Sequence, residues 1–155
     1  MRKVRMALLL VCLAGAASVG VAQRYTSPPA KASGNVAGKE IAIDYYAPSM
    51  HGRKIIGSLV PYGRVWCPGA NVATGLTTTA ALQIGDMKLP KGSYSLWIIP
   101  SDKEWTLIVN KQSGQHHLDY DPAEDFGRTK IAVKALGAPV ETLKFEVRPE
   151  AGIKV

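Results

Sequence analysis

The feature that most constrains this chain is a hydrophobic period of two, broken at short intervals by glycine and proline. Ile41, Ile43 and Tyr45 alternate with Ala42, Asp44 and Tyr46, and Leu143, Phe145 and Val147 alternate with Lys144, Glu146 and Arg148. Trp105, Leu107 and Val109 alternate with Thr106, Ile108 and Asn110, and Thr129, Ile131 and Val133 with Lys130, Ala132 and Lys134. Such alternation places successive side chains on opposite faces of a strand. Thr78, Ala80, Leu82 and Ile84 read as one face of a further strand. Both sides of Tyr94–Ile99 are apolar enough to be buried. Gly85-Asp86, Pro90-Lys91-Gly92, Pro100-Ser101-Asp102 and Gly137-Ala138-Pro139 supply turns between the runs. No stretch sustains a helical face, and the best candidate, Pro122 to Phe126, is barely one turn. The pattern predicts an all-β protein: a single β-sandwich of short, mostly antiparallel strands, with Leu96, Ile98, Leu107, Val109, Phe145 and Val147 buried on facing strands.

Before this domain lie two segments of other character. Arg2, Lys3 and Arg5 precede an apolar run from Met6 to Ala17, and Gly20-Val21-Ala22 offers small residues before Gln23. This is the pattern of a cleaved export signal over residues 1–22, in a run too short to span a bilayer comfortably. The expected location is therefore periplasmic or extracellular, with no stable membrane insertion after cleavage. Cys12 follows Val11 inside the apolar run, which is not where a lipoprotein cleavage site would put it. Residues 23–39 are rich in Ser, Pro, Gly, Ala and Asn and read as a flexible linker, leaving 40–155 as the domain.

The formal charge of +7 rests on 19 Lys and Arg against 12 Asp and Glu, and loss of the three bases in the signal lowers it to +4. The remaining bases are scattered, without the clustered stripe of a nucleic-acid binder, so no nucleic-acid partner is expected. Cys67 is then the one cysteine left, and it cannot form an internal disulfide.

Residues 47–75 form a long block in which turn formers, aromatics and basic residues alternate tightly. Ordering such a loop costs conformational entropy unless it packs on itself or holds something. Arg53, Tyr62, Arg64 and Asn71 are its candidate ligand-binding residues: forked guanidinium donors, a flat amphipathic ring and an amide suit a carboxylate, phosphate or sugar hydroxyl. Trp66 is expected to act as a structural plug at the sandwich end, after Val65 and before the Pro68-Gly69 turn. The competing reading is a loop packed wholly on itself, with Trp66 plugging the sandwich end, Arg53 binding loop carbonyls and Asn71 capping a turn.

Gly52-Arg53-Lys54-Ile55-Ile56-Gly57, Val60-Pro61-Tyr62-Gly63-Arg64-Val65-Trp66 and Gly69-Ala70-Asn71 resemble an exported bacterial family, the domain of unknown function 2911 (DUF2911). So do Leu89–Leu96, Ile99-Pro100, Glu104-Trp105-Thr106 and Val109-Asn110-Lys111, and the resemblance runs from about Pro28 to about Val147. It implies a fold and a compartment but no reaction. The family pattern places an Arg-Thr pair between the Trp and the Gly-Ala-Asn, where this chain has Cys67-Pro68, and an acidic residue after the Asn, where it has Val72. A polar site built on that Arg and carboxylate would be lost here. Members of that family often continue through a further strand, of which Gly152–Val155 looks like the start.

Other chemistry finds little footing in the residues. His116 and His117 on a strand would face opposite sides, and nothing places His51 beside them, so no metal site is expected. Asp119, Asp121, Glu124 and Asp125 share an acidic segment whose spacing fits no EF-hand loop. Ser49, Ser58 and Cys67 lie in no nucleophile signature, and Pro68 leaves no backbone N–H after Cys67 for an oxyanion. The loop supplies groups that bind well and abstract protons poorly. The expected role is an exported ligand- or partner-binding or structural module using the aromatic-basic loop, without cofactor or metal, for a small molecule or protein. A hydrolase acting at the same loop is the alternative.

Overall fold

A computed structural model describes residues 27–148 and the backbone strand at 152–154. The export signal and Cys12 lie outside the described residues. Strands β1 (Pro29–Val36), β2 (Lys39–Tyr46), β3 (Gly75–Thr78), β6 (Gly92–Ile99), β7 (Glu104–Asn110) and β8 (Asp125–Ala132) form a six-stranded antiparallel sheet in the order β1-β2-β3-β6-β7-β8. Two hairpins lie outside it: β4 (Leu82–Ile84) with β5 (Met87–Leu89), and β9 (Glu146–Arg148) with β10 (Gly152–Lys154). The sheet does not close, and the only helical residues described are one 3-10 turn at Pro122–Glu124. No described helix is long and apolar enough to cross a membrane. The all-β reading holds.

The segment read as a flexible linker is corrected in part. Residues 29–36 are β1, paired along its whole length with β2 from Pro29↔Tyr46 to Val36↔Lys39. The two-residue connection Ala37-Gly38 has φ of 50° and 79°, the positive pair that a tight hairpin of this twist demands. Gly34 also looks like a linker residue but answers a packing need. A Cβ there would lie 3.0 Å from Val147 Cγ1, so β9 crosses the strand where a side chain is missing. The run from Thr78 to Ile84 is likewise two strands, because the chain bends at 79–81 and Thr78 Oγ1 donates to the Ala80 carbonyl at 2.6 Å.

Period-two sequence becomes two distinct faces. On one, Ile41, Ile43, Tyr45, Leu76, Tyr94, Leu96 and Val109 pack against Leu82, Met87 and Leu89 of the β4–β5 hairpin and against Phe145. Leu107, Leu143 and Val147 are partly buried against the same cluster. The second layer of the sandwich is thus a pair of short elements laid on a large sheet. The opposite face carries a smaller cluster of Trp97, Ile108, Cys67 and Ala73, with Ile99 and Tyr120 against it. Tyr94–Ile98 are buried on both sides, as their sequence requires. Removing a fully buried aliphatic such as Leu76 would cost about 2–5 kcal/mol.

Candidate functional site

The loop block is ordered by its own backbone. Val60 N–H donates to Ile55 O and Gly57 N–H to Val60 O, both at 2.9 Å, closing a compact turn. Gly57 has φ of 75°, and the Tyr62 ring packs over it, so a Cβ at 57 would meet that ring at 3.2 Å. The chain then joins the main sheet, where Trp66 and Ile98 exchange both backbone hydrogen bonds at 2.8 Å. Thr74 ties the far end: its N–H donates to Cys67 Sγ at 3.4 Å and its hydroxyl to Pro68 O at 2.9 Å. The near end is held by the segment entering β9. Met50 N–H donates to Glu141 O, Leu143 N–H donates to Pro48 O, and the Ser49 and Thr142 hydroxyls are 2.8 Å apart.

Between the loop block and the connection from β8 to β9 lies a groove of about 470 Å³. That volume falls within the usual range for small-molecule sites. Its walls are mostly apolar, with Ile55, Ile56, Leu59, Val60, Trp66 and Trp105 on one part and Leu136, Val140 and Leu143 on the other. Leu59 is 58% exposed, Leu136 56% and Val140 52%, so the aliphatic surface faces water. Arg53, Glu141, Lys144 and Glu146 also line the groove.

Of the residues singled out in the sequence, Arg53 and Trp66 meet on this groove, whereas Tyr62, Arg64 and Asn71 are not among its lining. Arg53 Nε donates to Met50 O at 2.8 Å and an Nη to Ser49 O at 2.7 Å. These bonds fix the guanidinium on its own loop and leave further N–H groups unused. Tyr62 is 51% exposed beside Gly57, and Arg64 is exposed. Asn71 has φ of 60°, a region asparagine tolerates, and its carbonyl accepts from His117 N–H at 3.0 Å. Trp66 is half-buried. Its backbone seals the loop to β6, while its side chain forms groove wall.

Leu136, Val140 and Trp105 carried no functional signal in the sequence. The first two flank Gly137-Ala138-Pro139, which reads as a turn, and Trp105 reads as one face of a strand. The available signal was two large aliphatics directly flanking a turn.

The remaining candidates are engaged elsewhere. Cys67 is buried, and burial pushes its thiol pKa up, against the activation a nucleophile needs. The His116 and His117 rings lie 4.5 Å apart and tilted by 54°, and burial lowers the pKa of His117, with His116 adding to the effect. Asp121 caps the 3-10 turn by accepting from Ala123 N–H at 2.9 Å. Asp125 accepts from Tyr120 Oη at 2.8 Å and Arg128 Nε at 2.9 Å, and Lys111 lies 3.7 Å from Glu124. Among the described residues no group of three or more His, Cys, Asp and Glu is arranged to hold a metal ion.

Comparison with known proteins gives one match. The model of a family described as a protein of unknown function, DUF2911, matches residues 27–154. The chain belongs to that family. No curated protein and no solved structure matches it.

Proposed function

We propose that this DUF2911 member is an exported binding module that holds its ligand in the groove beside the loop block. The observation that carries the reading is the groove's lining. Two indoles and several aliphatics flank one open volume, with Leu59, Leu136 and Val140 each more than half exposed. Leaving that surface wet gives up hydrophobic stabilisation at about 25 cal/mol per Å², and a ligand's apolar body would recover it. The hydroxyls on the groove lend no support to the hydrolase alternative: Ser49 is hydrogen-bonded to Thr142, which is not a base that could activate it. Export is proposed from the charged start, the short apolar run and Gly20-Val21-Ala22. Protein recovered from the periplasm or medium should begin at or near Gln23, and an intact Met1 on cell-associated protein would overturn export.

The groove is tested with the neutral apolar dye Nile red. The wild-type chain should enhance its fluorescence saturably, and Leu136→Asp should abolish that enhancement while leaving the melting midpoint within about 2 °C, as for an exposed substitution. Equal dye binding by both proteins would sink the reading.

A further inference from the structure

Of the charged side chains that line the groove, Arg53 is the one that takes part in no ion pair among the described residues. Lys144 lies 3.0 Å from Glu146, Glu146 is also paired with Arg148, and Glu141 faces His51 at 4.0 Å. Arg53 differs. Its guanidinium is held by two neutral carbonyls, Ser49 O and Met50 O, and among the described residues it takes part in no ion pair. Carbonyl acceptors fix the fork and leave its charge standing. A guanidinium held in this way is pre-organised for a carboxylate, because little side-chain entropy remains to be lost. It sits at the edge of an apolar volume, so the complementary molecule has a greasy body and one anionic end.

We propose that the groove takes a monomeric alkyl anion, its chain against Leu59, Leu136, Val140 and the two indoles and its carboxylate on Arg53. The proposal rests on the binding reading above and adds the chemistry of the ligand. The bulk of the contact area is apolar, so the chain supplies most of the affinity and Arg53 supplies the choice of headgroup. A sugar is a poorer fit, since its hydroxyls would lie against aliphatic walls that offer few partners.

The test uses three ten-carbon probes below their micelle concentrations: decanoate, decanol and decyltrimethylammonium. Binding is read from tryptophan fluorescence. Decanoate should bind about tenfold more tightly than decyltrimethylammonium, the scale of one charge-assisted hydrogen bond near the surface. Raising the salt should shrink that ratio and leave decanol unchanged. Arg53→Gln should abolish the preference while decanol still binds. The salt series on the wild-type protein decides the matter if that variant fails to fold.

Equal affinity for the three probes, a ratio insensitive to salt, or a preference retained by a folded Arg53→Gln would each overturn the headgroup assignment and leave the groove reading intact. Binding to anionic phosphatidylglycerol vesicles without binding to free decanoate would overturn the monomeric ligand. Failure of every probe, decanol included, would overturn both readings together.

Discussion

Trp97 and Trp66 lie at neighbouring levels of the same sheet and have opposite environments. Trp97 is 2% exposed, its indole N–H donates to Ser95 Oγ at 2.9 Å, and Tyr120 packs on it with ring centres 5.0 Å apart. Gln115 Nε2 donates to the same Ser95 oxygen at 2.9 Å, and Tyr120 is tied to Asp125 and Arg128. Trp66, which bridges Ile98 one residue along β6, is half-buried on a groove with exposed aliphatics around it. One region has its apolar area covered and its polar groups joined except for the buried Gln115 Oε1, which meets no hydrogen-bond partner among the described residues. The other keeps apolar area open. The first contributes stability, and the second leaves apolar surface in contact with water.

The comparison predicts unequal costs for equal chemistry. Trp97→Ala should destabilise by about 3–5 kcal/mol, the usual loss for a buried aromatic, measured by denaturant melts. Trp66→Ala should cost less than that, because part of its side chain is already in water. Equal losses would mean that Trp66 is the plug its sequence position suggests and that the two tryptophans are held alike. Ser95→Ala probes the closed region further. It leaves the indole N–H of Trp97 and the amide of Gln115 without their shared acceptor, at about 1–3 kcal/mol.

The same contrast explains what was legible in the sequence. The closed region announces itself through strict alternation: Ser95, Trp97 and Ile99 on one side of β6 and Tyr94, Leu96 and Ile98 on the other both read as buried. Leu96, Ile98, Val109 and Phe145 are buried as expected, whereas Leu107 and Val147 are partly so, packed at the edge of the cluster. β1 was missed because its turn is Ala37-Gly38 without the usual asparagine, and because Gly34 imitates a linker residue while serving a close contact with Val147. The groove was half legible. Arg53 and Trp66 stand within one loop block, but Leu136 and Val140 reach it from about 70 to 90 positions along the chain, and no local pattern encodes that meeting.

Alkali should probe the closed region. Burial and the Asp125 carboxylate push the Tyr120 hydroxyl up to about 12. The folded state therefore keeps this proton at pH values where the unfolded chain, near 10, has begun to lose it. Tyr120 contributes stability below pH 10, and the contribution is lost as pH rises from 10 towards 12. Tyr120→Phe should flatten the fall in melting midpoint over that window. An undiminished fall would place the alkaline sensitivity elsewhere.

Acid should probe the groove wall, with the smallest effect of the set. Hydrogen bonds from Lys144 and Arg148 hold the Glu146 carboxyl down to about 2. A carboxylate whose folded pKa is depressed contributes stability above its unfolded value, near 4.3, and loses it as pH falls towards 2. Glu146 follows directly on the segment that pins the groove, where Leu143 N–H bonds to Pro48 O and Thr142 to Ser49. Exchange of the Leu143 and Met50 amides should therefore rise between pH 4 and 2, after correction for the intrinsic pH dependence of exchange, while the amides of β6 beside Trp97 stay protected. Glu146→Gln should remove the acid response in this window and leave the β6 amides unchanged. If β6 loosened in step with Leu143, the groove wall and the closed region would open as one unit, and the two tryptophans would not report separate parts of the molecule.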